Sequence, residues 1–423
     1  MRSSEAGGPR RAARASRTTR FLANAGRAAA SIALALIVGE AGLRVAGIKF
    51  TESLYTNDPS IGWSLRPSSE GWSVDERTIY VRVNSAGMHD REHAIAKPPG
   101  TLRIAVLGDS MTASIEVAAE DTSSAAMELA FTQCTAARPR QVEVLNFGVP
   151  GFNMAQMLLL LRHRVWQYSP DIVLLELFSG NNLMNNRRDL NNADATLAPY
   201  YVLRNGKLEL DDSYRSLPAM HPANIRRHNQ IAGIMNAIRL LQLVRYAELA
   251  AAALLRGEKA DARAARFGAD YQLRLVYKPP AAPEIENAWA LAEALIVAMR
   301  DEVGTHSAQF WLATSYMPSW ESQRSKAQEA LYGRYGPESL LYPDWRFVSL
   351  ARRERIPAVV LSDYLQNYAG RRHATLNGWP EGHLGAGHWN ELGQRIVGEY
   401  LAQQFCPLLG RTEPMPEILR PPP

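Results

Sequence analysis

Five short apolar segments, separated by helical patterns, constrain this chain more than any other feature of its sequence. The segments are bounded by Gly, Pro, Asn or Asp residues, and they are Arg103–Leu107, Val142–Leu145, Asp171–Leu177, Gln309–Ala313 and Pro357–Ser362. Between them apolar residues recur every four positions, as in Met157, Leu161 and Val165. Continuous apolar strands that alternate with amphipathic helices indicate a parallel sheet covered on both faces. The sequence therefore predicts an α/β chain with a three-layer, flavodoxin-like core of about five parallel strands.

Three further segments flank or interrupt this core. Residues 49–100 are rich in Ser, Asp, Pro and Gly and contain short strand-like runs, which indicates a small β-rich preface. The main domain is predicted over 101–410, with an insertion at 183–280 that we expect to be mostly helical and to cover one edge of the sheet. The Arg residues scattered through 226–266 indicate a solvated face rather than a lipid-headgroup site. Residues 411–423 form a Pro-rich tail with too little apolar surface to fold alone, and we expect it to be disordered.

The basic residues are concentrated at the N-terminus. Residues 1–27 hold seven Arg and one Glu, whereas the rest of the chain holds 40 basic and 41 acidic residues. A nucleic-acid-binding domain needs a basic face on its folded surface. The charge distribution therefore predicts a basic arm ahead of a nearly neutral body, and no nucleic-acid partner.

An apolar segment follows this arm. Ala28–Ile48 is long enough to cross a hydrocarbon layer of ~30 Å as a helix. Glu40 and Arg44 interrupt it near its end, and because they are four residues apart they share a helix face and can pair. We predict a transmembrane signal anchor at 28–48 that holds residues 1–27 in the cytoplasm. The alternatives are a signal peptide cleaved before Gly42 and a buried helix of a soluble protein.

Three of the predicted strands end in turns with chemically useful residues. Ser110 follows the first strand in a Gly-Asp-Ser turn, Gly151 follows the second strand, and Asn181 follows the third. The carboxyl ends of parallel strands share one edge of a sheet, and α/β folds bind their ligands at that edge. A hydroxyl, a glycine backbone open to close approach and a carboxamide are therefore expected to line one crevice.

A nucleophilic serine also needs a base. His383 and His388 lie in a Gly-rich loop just before the last predicted helix, which Asn390 is suited to cap. This loop also reaches the carboxyl edge of the sheet. His388 is thus the candidate general base for Ser110.

These residues, taken in order, resemble the four sequence blocks of the SGNH hydrolases, also known as GDSL-like esterases and lipases. The four blocks correspond to Ser110, Gly151, Asn181 and His388. Residues 80–92 (YVRVNSAGMHDRE) resemble the segment before the Ser block in membrane-anchored, periplasmic members. The sequence around His388 resembles their closing block.

The resemblance implies the SGNH-hydrolase fold and a serine esterase mechanism. Ser110 would attack an acyl carbonyl, with His388 acting as general base and then as general acid. The oxyanion hole would consist of the backbone N–H groups of Ser110 and Gly151 and the side chain of Asn181. No metal or organic cofactor is implied.

The chain departs from the family pattern beside the histidine. The family usually has an Asp two or three residues before the His, where this chain has Ala386 and Gly385. We expect His388 to be oriented by a backbone carbonyl or by a more distant acid, for which Glu381 and Asp363 are the candidates.

The function implied is that of an acylhydrolase that cleaves carboxylic esters through an acyl-enzyme. Its substrate would be an acylated or acetylated envelope glycan, a lipid or a small ester. We expect a single-pass protein of the bacterial inner membrane with its catalytic domain in the periplasm. The alternatives are an O-acyltransferase that modifies an exported polysaccharide and a non-catalytic SGNH-like binding protein.

The chain has two cysteines, which are too few for a four-cysteine metal site. Cys134 follows the first helix of the predicted core, and Cys406 ends the last one. In a flavodoxin-like sheet these helices lie side by side and end at the edge opposite the active site. A disulfide between them would form in an oxidising compartment. Two reduced, unpaired thiols are the alternative.

Overall fold

The computed structural model describes residues 9–49, 54–74, 76–188, 197–248, 251, 276, 280, 283–315, 341–380, 384, 385 and 387–409. The predicted Pro-rich tail at 411–423 lies outside these residues. So do parts of the insertion.

A sheet of five parallel strands forms the centre of the protein. Its strands are β5 (Thr101–Gly108), β6 (Gln141–Gly148), β7 (Ile172–Phe178), β10 (Gln309–Ser315) and β11 (Ala358–Val360). They lie in the order β11-β10-β7-β5-β6 and pair in parallel. Every residue of β5 and β7 is buried, which explains their continuous apolar sequences. The predicted α/β fold is confirmed, and the strand order is that of flavodoxin-like sheets.

Helices cover both faces of this sheet. One face packs against α4 (Met154–His163), α8 (Pro283–Thr305) and α9 (Tyr342–Arg353), with Trp289 and Phe347 fully buried between them. The other face packs against α3 (Ser123–Phe131), α10 (Leu361–Arg372) and α11 (Glu391–Phe405), where Trp311 stacks on Phe405. These two cores give the predicted three layers.

Two antiparallel hairpins precede the central sheet. The first pairs β1 (Tyr55–Asp58) with β2 (Gly62–Leu65), and the second pairs β3 (Glu70–Val74) with β4 (Thr78–Arg82). Leu65 and Val81 from these hairpins form a small core with Ala113. Ala113 ends α2 (Ser110–Ala113), so the hairpins pack directly against the turn that carries Ser110.

The insertion contains a hairpin that the helix prediction missed. After α5 (Ser179–Asn185), β8 (Tyr200–Arg204) pairs with β9 (Lys207–Asp211) in antiparallel register. The connecting residues Asn205 and Gly206 both have positive φ. Asn-Gly between two apolar runs is a strong hairpin signal, and it was present in the sequence. Helices α6 (Pro222–Ala237) and α7 (239–248) follow this hairpin.

A single 37-residue helix, α1 (Pro9–Val45), precedes the hairpins. Its Arg20–Val45 segment is long and apolar enough to cross a membrane. Large apolar side chains such as Ile32 and Ile37 are exposed rather than packed in a core. The structure thus differs from the buried-helix alternative, and the helix continues without a break into the basic arm.

A disulfide joins Cys134 to Cys406, with 5.7 Å between their Cα atoms. It links the ends of α3 and α11, which pack closely because Gly398 lacks a side chain. A Cβ at Gly398 would lie 2.4 Å from the carbonyl oxygen of Ser123. The bond therefore fixes two helices on the same face of the sheet.

We expect the double variant Cys134→Ser/Cys406→Ser to be less stable by about 2–4 kcal/mol, because a cross-link over so long a loop restricts the unfolded chain. The measurement is the thermal midpoint of the purified protein with and without reductant. Reductant should lower the midpoint of the wild-type protein and leave the double variant unchanged. Two free thiols in wild-type protein isolated under oxidising conditions would contradict this expectation.

Candidate active site

The predicted blocks lie at the carboxyl edge of the central sheet. Ser110 directly follows β5, Gly151 lies just beyond β6, and Asn181 lies in the helix that follows β7. His388 precedes α11, whose Gln394 side chain donates to the carbonyl of Met111 at 3.4 Å. The fold thus brings the histidine loop and the Ser110 turn to the same edge.

The Ser110 turn is held by its neighbours rather than by its own hydroxyl. Asp109 caps α2 by accepting a hydrogen bond from the Met111 N–H at 3.0 Å. Thr112 packs so tightly over Gly108 that a Cβ there would lie 1.9 Å from the Thr112 hydroxyl. Ser110 is partly exposed, and none of the described residues hydrogen-bonds its Oγ. Within the described part of the chain, no partner commits this hydroxyl to a structural bond.

Two buried carboxyl groups, those of Asp109 and Glu176, hydrogen-bond to residues of this turn. Burial raises the pKa of Asp109 to about 6, against the opposing effects of the Met111 N–H and the charge of His388. Glu176 on β7 accepts a hydrogen bond from the Thr112 hydroxyl at 2.8 Å, and burial raises its pKa to about 7. Glu176 was not singled out in the sequence, since it lies within an apolar strand pattern.

The turn after β6 approaches α2 very closely. A Cβ at Gly148 would lie 2.3 Å from the backbone nitrogen of Ala113. Gly151 has a φ of +77°, a conformation that favours glycine. Trp63 lies against it and donates from Nε1 to the carbonyl of Pro150 at 3.2 Å. Sequence reasoning missed Trp63, because it comes from the N-terminal hairpin rather than from the core.

Asn182 lies in the third of these turns, directly after β7. Its Oδ1 accepts from the Phe178 N–H at 2.8 Å, and its Nδ2 donates to Asp109 at 3.3 Å. Asn182 is fully buried and ties the β7 turn to the Ser110 turn. The backbone of Asn181 belongs to α5, and its side chain lies outside the described residues.

His388 is bound at two points by one carboxylate. Its Nδ1 lies 2.8 Å from Oε1 of Glu76, and its backbone N–H donates to Oε2 of the same residue at 3.0 Å. Gly387, with a φ of +83°, makes room for this contact, since a Cβ there would lie 2.4 Å from a Glu76 oxygen. The carboxylate thus fixes both the position and the ring of His388.

Among the described residues, the acid that binds His388 is Glu76, which the sequence did not indicate. Glu381 lies outside the described residues, and Asp363 lies in the first turn of α10, where its charge acts on Asp344 and Tyr400. Glu76 instead lies in the turn between β3 and β4, 312 residues before His388. No local spacing around the histidine could have indicated it. The β3–β4 hairpin therefore completes the site.

A second set of contacts holds this hairpin turn in place. Arg77 forms an ion pair with Glu391 at the start of α11, and its guanidinium lies over the ring of Trp379. Trp379 in turn donates from Nε1 to Glu391 at 3.0 Å. The residue after Glu76 and the helix after His388 are thus bound to each other.

A second carboxylate faces the same ring. Oε1 of Glu116 lies 3.5 Å from Nδ1 of His388, and only 6% of the Glu116 side chain is exposed. Burial lowers the pKa of His388, but the hydrogen bond to Glu76 and the charges of Glu116, Glu76 and Asp109 outweigh it and raise the pKa to about 9. The imidazolium form is therefore strongly stabilised in this site.

Across the described residues, no group of three or more His, Cys, Asp or Glu side chains is arranged to hold a metal ion. What the site offers is a serine hydroxyl, a histidine and a carboxylate at one edge of the sheet.

No family model and no curated protein sequence matches the chain significantly. Among solved structures, a lipase/acylhydrolase from Enterococcus faecalis is 13% identical, with a TM-score of 0.34 over 73% of this chain and 96% of that one. An acetyl xylan esterase, AlAXEase, is 12% identical, with a TM-score of 0.36 over 71% and 98% of the two chains. The TesA structure is 11% identical, with a TM-score of 0.34 over 72% and 99%. At these values the likeness carries no argument about function, which rests on the residues of this chain.

Proposed function

We propose that the protein is a serine acylhydrolase that cleaves carboxylic esters through an acyl-enzyme on Ser110. The observation that carries this proposal is the two-point binding of His388 by Glu76 beside the Ser110 turn. An acid that binds Nδ1 of a histidine fixes the ring and leaves Nε2 to act as the base. Ser110, His388 and Glu76 then form a nucleophile, a base and a positioning acid.

The reaction follows from these roles. Neutral His388 donates from Nδ1 to Glu76 and accepts the Ser110 proton at Nε2 while Oγ attacks the ester carbonyl. The imidazolium returns that proton to the departing alkoxide, which leaves as an alcohol. Water then attacks the acyl-enzyme with the same proton transfers, and the carboxylic acid leaves with Ser110 restored.

Negative charge develops on the carbonyl oxygen in both tetrahedral intermediates. We propose that the backbone N–H groups of Ser110 and Gly151 and the amide of Asn181 donate to it. The positive φ of Gly151 and the close approach of Gly148 to α2 support the two backbone positions.

Hydrolysis is preferred to acyl transfer because of Glu76. The lack of an acid just before His388 is compatible with an O-acyltransferase, because a poorly oriented base would activate water slowly. Glu76 supplies that orientation from another segment. The proposed substrate class remains an acyl or acetyl ester of an envelope glycan, a lipid or a small molecule.

The proposed location is the bacterial inner membrane, with α1 as a single-pass anchor and the catalytic domain in the periplasm. Three features support it: the apolar Arg20–Val45 segment, the Arg-rich arm before it, and the Cys134–Cys406 disulfide. Positively charged arms favour the cytoplasmic side, and disulfides persist in oxidising compartments.

The proposed function is tested with p-nitrophenyl esters of increasing acyl length, together with intact-protein mass spectrometry during turnover. We expect ester hydrolysis and an acyl adduct on wild-type protein, and neither in His388→Ala. Transfer of the acyl group to added sugar or alcohol in preference to water would favour the acyltransferase. Absence of both hydrolysis and adduct over the whole ester series would contradict the proposal.

The raised pKa of His388 predicts a pH dependence. His388 must be neutral to accept the Ser110 proton, so kcat/KM should rise with pH with a midpoint at about 9. Glu116→Gln removes a negative charge that stabilises the imidazolium, so the midpoint of this rise should move to lower pH. Glu399→Gln serves as a matched control. The Glu399 side chain on α11 is 50% exposed, so its replacement should leave the midpoint unchanged. A shift of the Glu116→Gln profile to higher pH would contradict the assignment.

A further inference from the structure

An exposed apolar surface on the insertion suggests a second role for helices α6 and α7. Exposed Ile231 and Ile234 on α6 and Ile238 at its C-cap make up an isoleucine stripe, and Leu243 and Val244 are exposed on α7. Ile234 is 57% exposed and Val244 is 58% exposed. Large exposed apolar side chains grouped on neighbouring turns mark a surface that another apolar phase covers.

The opposite side of α6 is bound to the body of the protein. Asn229 accepts hydrogen bonds from the Thr56 hydroxyl at 2.8 Å and from Arg66 at 2.9 Å. Ala232, one turn later on the same side, is buried. Because the docked side faces the hairpins, the isoleucine stripe is fixed in an outward orientation.

The bend between α6 and α7 is attached to the end of α1. The Glu40 carboxylate accepts the backbone N–H groups of Arg239 at 3.2 Å and Leu240 at 3.0 Å, and so caps α7. Arg44 donates to the carbonyl of Ala237 at 2.7 Å and also pairs with Glu40. Glu40 and Arg44, the two charged residues that interrupt the apolar segment, therefore hydrogen-bond to the bend between α6 and α7.

Further contacts run from α7 to the end of α1 and the residues after it. Arg239 donates to the carbonyls of Leu43 and Ile48, at 3.2 and 2.9 Å. Leu240 packs over Gly39, where a Cβ would lie 3.5 Å from its side chain. The stripe is thus tied at backbone level to residues 39–48.

This junction lies where α1 would leave the hydrocarbon. Glu40 precedes Val45, the end of the apolar segment, by about 7.5 Å along a helix that rises 1.5 Å per residue. Interfacial helices bury their apolar face ~5–10 Å into the boundary between headgroups and acyl chains. The junction therefore lies at the depth of the membrane interface, and the stripe lies on the helices that it joins.

We propose that α6 and α7 lie on the surface of the bilayer that α1 crosses, with the isoleucine stripe and Leu243 and Val244 in contact with lipid. Exposed Arg226, Arg227 and Arg245 flank the stripe and are suited to anionic headgroups. This proposal takes the lipid-headgroup alternative to the solvated face that the sequence predicts for these arginines. The proposal rests on α1 as a membrane span and is independent of the esterase chemistry.

The test uses the full chain in phosphatidylglycerol-containing vesicles with single thiol labels. Both native cysteines are in the disulfide, so an added cysteine is the only free thiol. Bimane is attached to Ile234→Cys or Val244→Cys, with exposed Ser349→Cys on α9 as a matched control and Leu34→Cys to report on α1. Lipids with a quencher at the top of the acyl chain should reduce emission at positions 234 and 244 and leave position 349 unchanged.

Three outcomes would overturn the proposal. Emission at 234 and 244 no more quenched than at 349 would place the stripe in water. Protection of these labels from aqueous iodide without quenching by lipid would indicate a protein partner instead. With the quencher moved to the end of the acyl chain, at the bilayer centre, an unquenched label at position 34 would show that α1 is not inserted. Ester hydrolysis measured on the same vesicles separates each of these outcomes from a failure of the proposed activity.

Discussion

Ser110→Ala should abolish ester hydrolysis while leaving the thermal midpoint unchanged. Removal of the nucleophile in a serine hydrolase lowers turnover by about 10⁶-fold, and the residual rate comes from binding and oxyanion stabilisation. No loss of stability is expected, because the Ser110 hydroxyl makes no hydrogen bond with the described residues. The measurements are kcat on the best p-nitrophenyl ester and the melting curve.

Ser114→Ala is the matched control for this prediction. Its hydroxyl is buried and donates to the carbonyl of Met111 at 2.7 Å, so its loss should lower stability and largely spare the chemistry. Ser110→Ala should therefore lower activity and spare stability, whereas Ser114→Ala should lower stability and largely spare activity. Activity near wild type in Ser110→Ala would exclude Ser110 as the nucleophile.

Glu76→Gln should lower kcat by up to about 10⁴-fold with little change in KM, as found when the orienting acid of a serine triad is replaced by its amide. The physical reason is that a neutral amide no longer stabilises the imidazolium formed at His388. The pKa of His388 should fall as well, because the bond to Glu76 raises it. Imidazole NMR titration of the resting protein measures this shift directly.

Two further variants distinguish a loss of His388 orientation from a general loss of folding in the β3–β4 hairpin. Gly387→Ala should reproduce the loss in kcat, because its Cβ would occupy the position of the Glu76 carboxylate. Glu70→Gln serves as the control, since Glu70 belongs to the same hairpin but pairs with Lys49 and Arg82. An effect of Glu70→Gln as large as that of Glu76→Gln would reduce Glu76 to a structural residue of the hairpin.

The central sheet was predictable because burial on both faces leaves a direct mark on the sequence. The eight residues of β5 and the seven of β7 are all buried, so their apolar runs stand out without any long-range information. The chain positions of Ser110 and His388 follow from the same logic. Each lies next to an element whose identity the local pattern already indicates.

The remainder of the site depends on contacts between distant segments. Glu76 and Trp63 come from hairpins that precede the sheet, and Glu116 follows the α2 turn. Their sequence contexts are those of ordinary surface or hairpin residues, so pattern alone could not select them. The role of Glu40 at the α6–α7 junction is hidden in the same way, since it is made by backbone N–H groups some 200 residues later.

Labelling with a fluorophosphonate probe tests the central claim most directly, because the probe reacts with an activated serine whatever the natural substrate is. We expect the wild-type protein to be labelled on Ser110, the label to form much more slowly in Glu76→Gln, and none to form in His388→Ala or Ser110→Ala. Peptide mapping of the adduct identifies the residue. Well-folded wild-type protein that takes no label, or that takes it at a serine other than Ser110, would contradict the proposed triad.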